Sequence, residues 1–316
     1  MLNFHENLDR TVTIEMRPRG LHRGIILQAY HRVRADGPPL TYQIARALLA
    51  QPGSHVGFVA GIVLPPHLPH GEIDGLIGSA VLGQSLARLG YRVSILVEEP
   101  ILQVMEALQH VLGADDLNLV NASRVADHEW DAVADGLDAL IAIEKLGVNR
   151  KGQRHALTGT PFDSGYPYAD HLVNRLNEQD KLTIGFGDGG NEIGFGVIFE
   201  FAREIVPGGR DCGCPCADGI ITTTATRYLF PATSSNIGAY GLASALALQT
   251  GQLELLPDPE KEIPLLEAAL AAGCIDGGTG RALVAEDGIP GETVVGLLRI
   301  LNTIVRLAYQ DFDRAF

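Results

Sequence analysis

The run Thr183-Ile-Gly-Phe-Gly-Asp-Gly-Gly-Asn-Glu-Ile-Gly-Phe-Gly196 decides how this chain reads. An apolar lead-in passes into six glycines among positions 185–196. The pattern predicts a buried strand over 182–186, a tight glycine turn, and a helix over 191–205 carried by Ile193, Val197, Ile198, Phe201 and Ile205. Glycine tolerates positive φ and lets a ligand approach the backbone. The unpaired N–H groups of a first helical turn attract anions. Asp188, Asn191 and Glu192 sit in this turn together with Gly189 and Gly190, so chemistry is expected there.

Outward from the turn, strand and helix patterns alternate. Strands are expected over 56–64, 91–97, 117–120, 137–143, 220–224 and 228–232. Helices are expected over 40–50, 76–89, 98–112, 169–178 and 236–248. This alternation predicts an α/β fold: a doubly wound, mostly parallel, Rossmann-like sheet with helices on both faces. Residues 1–36 read as an N-terminal arm, and 257–316 as a helical C-terminal extension packed on the same body. No repeat or linker divides the chain, so a single domain over 1–316 is expected.

Composition narrows the partners. With 316 residues, 46% hydrophobic and 20% charged, the chain can bury a large core. A net charge of −14 makes nucleic acid a poor partner, because phosphate binding needs a basic face. The longest apolar stretch, 56–66, is too short for a membrane span. The N-terminus lacks a signal-peptide layout, so a cytoplasmic location without a membrane is the expectation. A homo-oligomer is compatible with this reading. Cys212, Cys214 and Cys216 lie in Cys-Gly-Cys-Pro-Cys. Zinc sites usually pair cysteines two to four apart with a second pair elsewhere, and no second cluster follows, so metal-free loop thiols are expected.

In open α/β sheets ligands bind beyond the C-terminal strand ends. That rule gathers Glu72, Asp74 and Gly75 after the first strand, and Glu98 and Glu99 after the second. It gathers Glu144 and Lys145 after the strand at 137–143, and Ser234, Ser235 and Asn236 after the one at 228–232. Each alone can be the polar end of a buried strand or a capping residue. Asp188, flanked by glycines, can be a turn aspartate bonding its own backbone. Gly185, Gly187 and Gly190 also match a dinucleotide fingerprint. Asp188 inside it would repel a pyrophosphate, so no NAD is expected.

In the same order, five segments resemble the D-glutamate cyclase C-terminal domain family. They are Ile73-Asp-Gly75, Ile143-Glu-Lys-Leu-Gly147, Gly187-Asp-Gly-Gly-Asn-Glu-Ile-Gly194, Ser235-Asn-Ile-Gly-Ala-Tyr240 and Asp276-Gly-Gly-Thr-Gly280. The chain departs from the family where Lys145 replaces an arginine, Val197 a lysine and Ile237 a tryptophan. The resemblance implies intramolecular dehydration of D-glutamate, or a related amino acid, to a 5-oxoproline-type lactam. Asp188, Glu192, Glu144 and Lys145 are the expected catalytic residues. Asp74, Gly75, Gly189, Gly190, Asn191, Ser235, Asn236, Asp276 and Thr279 are expected to bind a small anionic amino-acid-like substrate. Charge balance suggests a divalent cation, Mg²⁺ or Mn²⁺, on Asp74, Asp188 and Glu192. The alternatives are a non-catalytic small-metabolite binding domain and, third, a nicotinamide-dependent oxidoreductase.

Overall fold

The structure is a computed structural model and describes residues 1–18, 24–162, 168–311 and 313–314. The arginine-rich run beyond Pro18, the end of the 146–167 loop and the last residues of the C-terminal extension lie outside the described residues.

Six parallel strands form the central sheet: β1 (His55–Ala60), β2 (Arg92–Val97), β3 (Asn118–Asn121), β4 (Ala139–Ile143), β7 (Leu182–Gly187) and β8 (Tyr228–Pro231). Two short antiparallel ribbons join them: β5 (Arg154–His155) with β6 (Pro161–Phe162), and β9 (Ala285–Glu286) with β10 (Ile289–Pro290). The sheet order is β3-β2-β1-β4-β7-β8. This is the Rossmann arrangement, in which the winding direction reverses between β1 and β4 and leaves a crevice at their C-terminal ends.

Alternation along each strand explains the layers. Phe58, Ile95, Ile141 and Ile184 are fully buried on one face. That face is covered by α4 (Leu76–Arg88) and α9 (Ser235–Thr250). Outside these pack α1 (Leu2–Val12), α3 (Leu40–Leu49), α5 (Glu99–Leu112), α10 (Glu262–Ala271) and α11 (Gly291–Leu307). Val59, Leu96, Leu140 and Ala142 point the other way, onto α6 (Trp130–Asp135) and α7 (Tyr168–Glu178). A third cluster joins α2 (Ile25–Arg34) to α8 (Phe199–Ile205) beside β8. α4 and α9 are buried nearly all round, which explains why they read as apolar rather than amphipathic.

Two sequence expectations need correction. No helix starts at residue 191; Gly190 (φ 101°) and Gly194 (φ 117°) fold the chain back, and α8 begins only at Phe199. Residues 220–224 form no strand. Thr224 instead accepts from the Gly194 N–H at 2.9 Å, and Val148 accepts from the Thr223 N–H at 2.8 Å. Among the described residues no helix is long and apolar enough to cross a membrane.

Candidate active site

The crevice between β1 and β4 is built by close backbone approach. Glu144 follows β4 with φ 47°, a left-handed conformation costing a non-glycine residue roughly 1–2 kcal/mol. Gly75 opens α4 with φ 83°, and a Cβ there would lie 2.6 Å from Glu144 Cβ and 2.7 Å from the Ile143 carbonyl oxygen. Glycine is therefore what lets the start of α4 reach the end of β4.

Asp74 lies at the centre of this contact. Its Oδ1 accepts from the N–H groups of Gly75 (2.9 Å) and Asn236 (2.7 Å), and its Oδ2 from Ser235 N–H (2.8 Å). The first turn of α9, expected to take a substrate carboxylate, thus already holds an anion of the chain itself. Ser235 and Asn236 act as connectors. Ser235 Oγ donates to Glu144 Oε2 (2.7 Å), and Asn236 Nδ2 donates to Glu286 Oε2 (2.7 Å). Ser234 Oγ donates to the other oxygen of Glu286 at 2.9 Å.

The glycine turn is occupied in the same way. Glu192 Oε1 accepts from Gly189 N–H (2.8 Å) and Oε2 from Gly190 N–H (2.7 Å). These donors were expected to meet a ligand; they hold Glu192 instead, because the chain reverses here rather than entering a helix. Burial, followed by the charge of Asp188, raises the Glu192 pKa to about 7, and the two N–H groups oppose that rise. Asn191 Nδ2 donates to the His155 carbonyl at 2.8 Å, which ties the turn to the β5–β6 ribbon.

The expected cation is elsewhere. Lys145 Nζ donates to Glu98 Oε1 (2.5 Å) and to the Gly61 carbonyl (3.1 Å), and both partners of this ion pair are buried. The positive charge against Asp188 comes from Arg17, which is 1% exposed. Its Nη1 donates to Asp188 Oδ1 (2.9 Å) and its Nη2 to the Asp188 carbonyl (3.3 Å). Burial opposes the charge on Arg17, but Asp188, Asp287 and Glu15 outweigh it and raise its pKa.

These groups border a cavity of about 550 Å³, lined among others by Arg17, Glu72, Glu144, Asp188, Asn191 and Asp287. Two buried acceptors there, Glu72 Oε1 and Asn191 Oδ1, have no hydrogen-bond partner, and the Asp287 carboxyl lies within hydrogen-bond reach of Asp188. Burial first, then neighbouring carboxylates, pushes Glu72, Asp74, Glu144 and Asp287 well above the usual carboxylate range. Such a cluster calls for protons or for a cationic guest.

The expected metal trio splits. Asp74, Asp188 and Asp287 form one group of mutually close oxygens, and Glu144, Asp188 and Glu192 another; Asp188 belongs to both. Asp276 and Thr279 shape a turn. Asp276 Oδ2 accepts from Thr279 N–H (3.0 Å) and its Oδ1 from Gly288 N–H (3.0 Å). The neighbouring Gly277 and Gly278 line the cavity.

Arg17, Asp287 and Glu286 were not foreseen. Arg17 lies in the expected N-terminal arm, which carries no motif that ties it to the site. The signal for the acids was Glu286-Asp287-Gly288, a charged pair set between Ala285 and Ile289, both buried.

The family described as D-glutamate cyclase-like, C-terminal matches residues 39–302, and the chain belongs to it. No curated protein matches the chain. Among solved structures it is similar to one described as a levodione reductase, at 12% identity over 82% of this chain and 93% of that chain, with a TM-score of 0.27. That likeness is too slight to carry an argument.

Proposed function

We propose that the chain cyclises D-glutamate, or a closely related amino acid, to a 5-oxoproline-type lactam. The amine nitrogen attacks the side-chain carboxyl carbon, a C–N bond forms, a C–O bond breaks and water leaves. The observation that carries this reading is a cavity lined by Glu72, Asn191, Asp188 and Arg17, in which Glu72 Oε1 and Asn191 Oδ1 are buried acceptors without a hydrogen-bond partner. Acceptors without donors suit an ammonium, and a guanidinium suits a carboxylate. Membership of the D-glutamate cyclase-like family supports this reaction class.

Glu144 is the proposed general base and, in its protonated form, the acid that assists loss of water. It lines the cavity, Ser235 holds one of its oxygens, and burial with the charges of Glu192 and Asp188 favours its protonated form. Asp188, steadied by Arg17, receives the ammonium. Glu192 and Lys145 are positioning residues in this scheme: Glu192 sets the turn that presents Asp188 and Asn191, and Lys145 fixes Glu98. Gly189 and Gly190 serve through the same turn, and Asp276 and Thr279 through the turn that walls the cavity. A Mg²⁺ or Mn²⁺ ion fits the all-oxygen group Asp74, Asp188 and Asp287, and when bound it neutralises carboxylate charge. No step uses NAD.

A second reading, a non-catalytic binder of the same amino acids, is favoured by one fact. With Lys145 sequestered by Glu98, Arg17 is the one lysine or arginine among the described cavity-lining residues. The two readings separate by following D-glutamate and L-glutamate by proton NMR, with and without Mn²⁺, using Asp188→Asn as the control. Appearance of 5-oxoproline that Asp188→Asn abolishes supports the enzyme. A ligand-induced thermal shift without product, under every metal condition, leaves the binder.

A further inference from the structure

We propose that His155, Cys212, Cys214 and Cys216 form a structural zinc site that clips the loop over 206–219 to the ribbon walling the cavity. The four donor atoms already converge. Cys212 Sγ lies 3.0 Å from Cys214 Sγ and 3.4 Å from Cys216 Sγ. His155 Nε2 lies 3.3 Å from Cys214 Sγ and 3.6 Å from Cys216 Sγ. A tetrahedral zinc with Zn–S bonds of about 2.3 Å has S···S edges of about 3.8 Å, so each donor needs to move outward by only a few tenths of an ångström. Three cysteines and one histidine are a standard closed set for zinc, with no coordination position left for water. The site is therefore a staple and takes no part in turnover.

The surroundings suit thiolates. Backbone N–H groups of Cys214 and Cys216 point at Cys212 Sγ and Cys214 Sγ, both at 3.3 Å. Asn149 Nδ2 approaches Cys216 Sγ at 3.6 Å. Such donors orient and stabilise metal-bound sulfur. The loop closes on itself where Asp218 O accepts from Cys212 N–H at 2.8 Å, and Asp218 is anchored by Arg150 (2.9 Å) and Arg203 (2.5 Å). On the other side, Gly159 turns with φ 84°, and a Cβ there would lie 2.3 Å from the Cys212 carbonyl oxygen. Ribbon and loop are thus in contact before any metal is added.

The expectation of metal-free thiols rested on the lack of a second cysteine pair. The fourth ligand is a histidine that precedes Cys214 by 59 positions and becomes its neighbour only through folding. His155 also links the clip to the candidate active site. Its ring faces the thiols, its carbonyl accepts from Asn191, and Ala156, Leu157, Thr158 and Thr160 beyond it line the cavity. The zinc proposal does not depend on the cyclase reading.

The test uses tag-free full-length chain purified under reducing conditions without chelator. Elemental analysis is expected to give about one zinc per chain, falling at least tenfold in Cys214→Ser and Cys216→Ser. Because those variants can fail to fold, a second measurement uses the wild type. Replacing the metal with Co²⁺ is expected to give the intense visible bands of a tetrahedral ion together with thiolate-to-cobalt charge transfer in the near ultraviolet. Wild-type protein that takes up neither zinc nor Co²⁺ overturns the proposal. So does a disulfide among the three cysteines in protein prepared under those reducing conditions.

Discussion

Arg17 Nη1 and Asp188 Oδ1 meet at 2.9 Å across 171 positions of sequence, and both side chains are buried. The pair fastens the N-terminal arm to the glycine turn and completes the cavity wall. Truncating one partner leaves the other charge buried and alone. Arg17→Met is therefore expected to lower the unfolding free energy by roughly 3–5 kcal/mol. Adding Asp188→Asn should recover part of that loss. Urea titrations of the two variants check it; a single variant as stable as wild type shows the pair to be open to solvent.

Lys145 and Glu98 give a sharper separation of structural from chemical roles. Lys145→Met alone should cost about 3–5 kcal/mol, because Glu98 is then stranded. Lys145→Met with Glu98→Gln should regain most of the stability. If Lys145 only positions Glu98, the double variant also keeps substrate turnover within a few-fold of wild type. Loss of kcat in a stable double variant would restore Lys145 to the chemistry.

Gly75 tests the packing at the crevice. Gly75→Ala combines a left-handed φ with a Cβ 2.6 Å from Glu144 Cβ. A loss of roughly 2 kcal/mol or more is expected, together with weaker D-glutamate binding as Glu144 is pushed aside. Thermal unfolding with and without D-glutamate reads both effects.

The buried acids predict an unusual pH dependence. Glu192 and Glu262 are pushed up to about 7 and Glu286 to about 8, chiefly by burial, from an ordinary value of 4.5. The native state therefore keeps protons that the unfolded chain has already released. Their stabilisation is complete below about pH 4.5 and is lost as the pH rises through 7 to 8, by an amount on the order of a few kcal/mol. Denaturation midpoints measured in metal-free buffer should fall across this window. Glu286→Gln should flatten the upper part of the curve, and a midpoint that rises with pH would contradict the argument.

The sheet and its crevice were legible because they depend on local pattern. Buried runs such as Val56–Ala60 and Leu182–Gly187 sit between helices that cover both faces, and Asp74, Glu144, Asp188 and Ser235 fall at strand ends or helix starts. What those residues bond to was not legible. Asp74 and Glu192 looked free of the chain's own groups, yet each has both oxygens bonded to backbone N–H groups. Lys145 looked like the site cation, but Glu98 at the end of β2, two strands away across β1, claims it. Arg17, His155 and Asp287 reach their places through contacts distant in sequence, which no periodicity encodes.

The carboxylate of Asp74 at the head of α9 has a competitive consequence. A Rossmann-type sheet commonly greets a phosphate with a helix end. Here that seat is taken by a side chain whose tether gives it an effective concentration in or above the millimolar range. Phosphate and sulfate at buffer strength are expected to be poor rivals for it, so inhibition by these anions should be weak. A nucleotide would gain this end of the crevice only in a chain that had first given up Asp74.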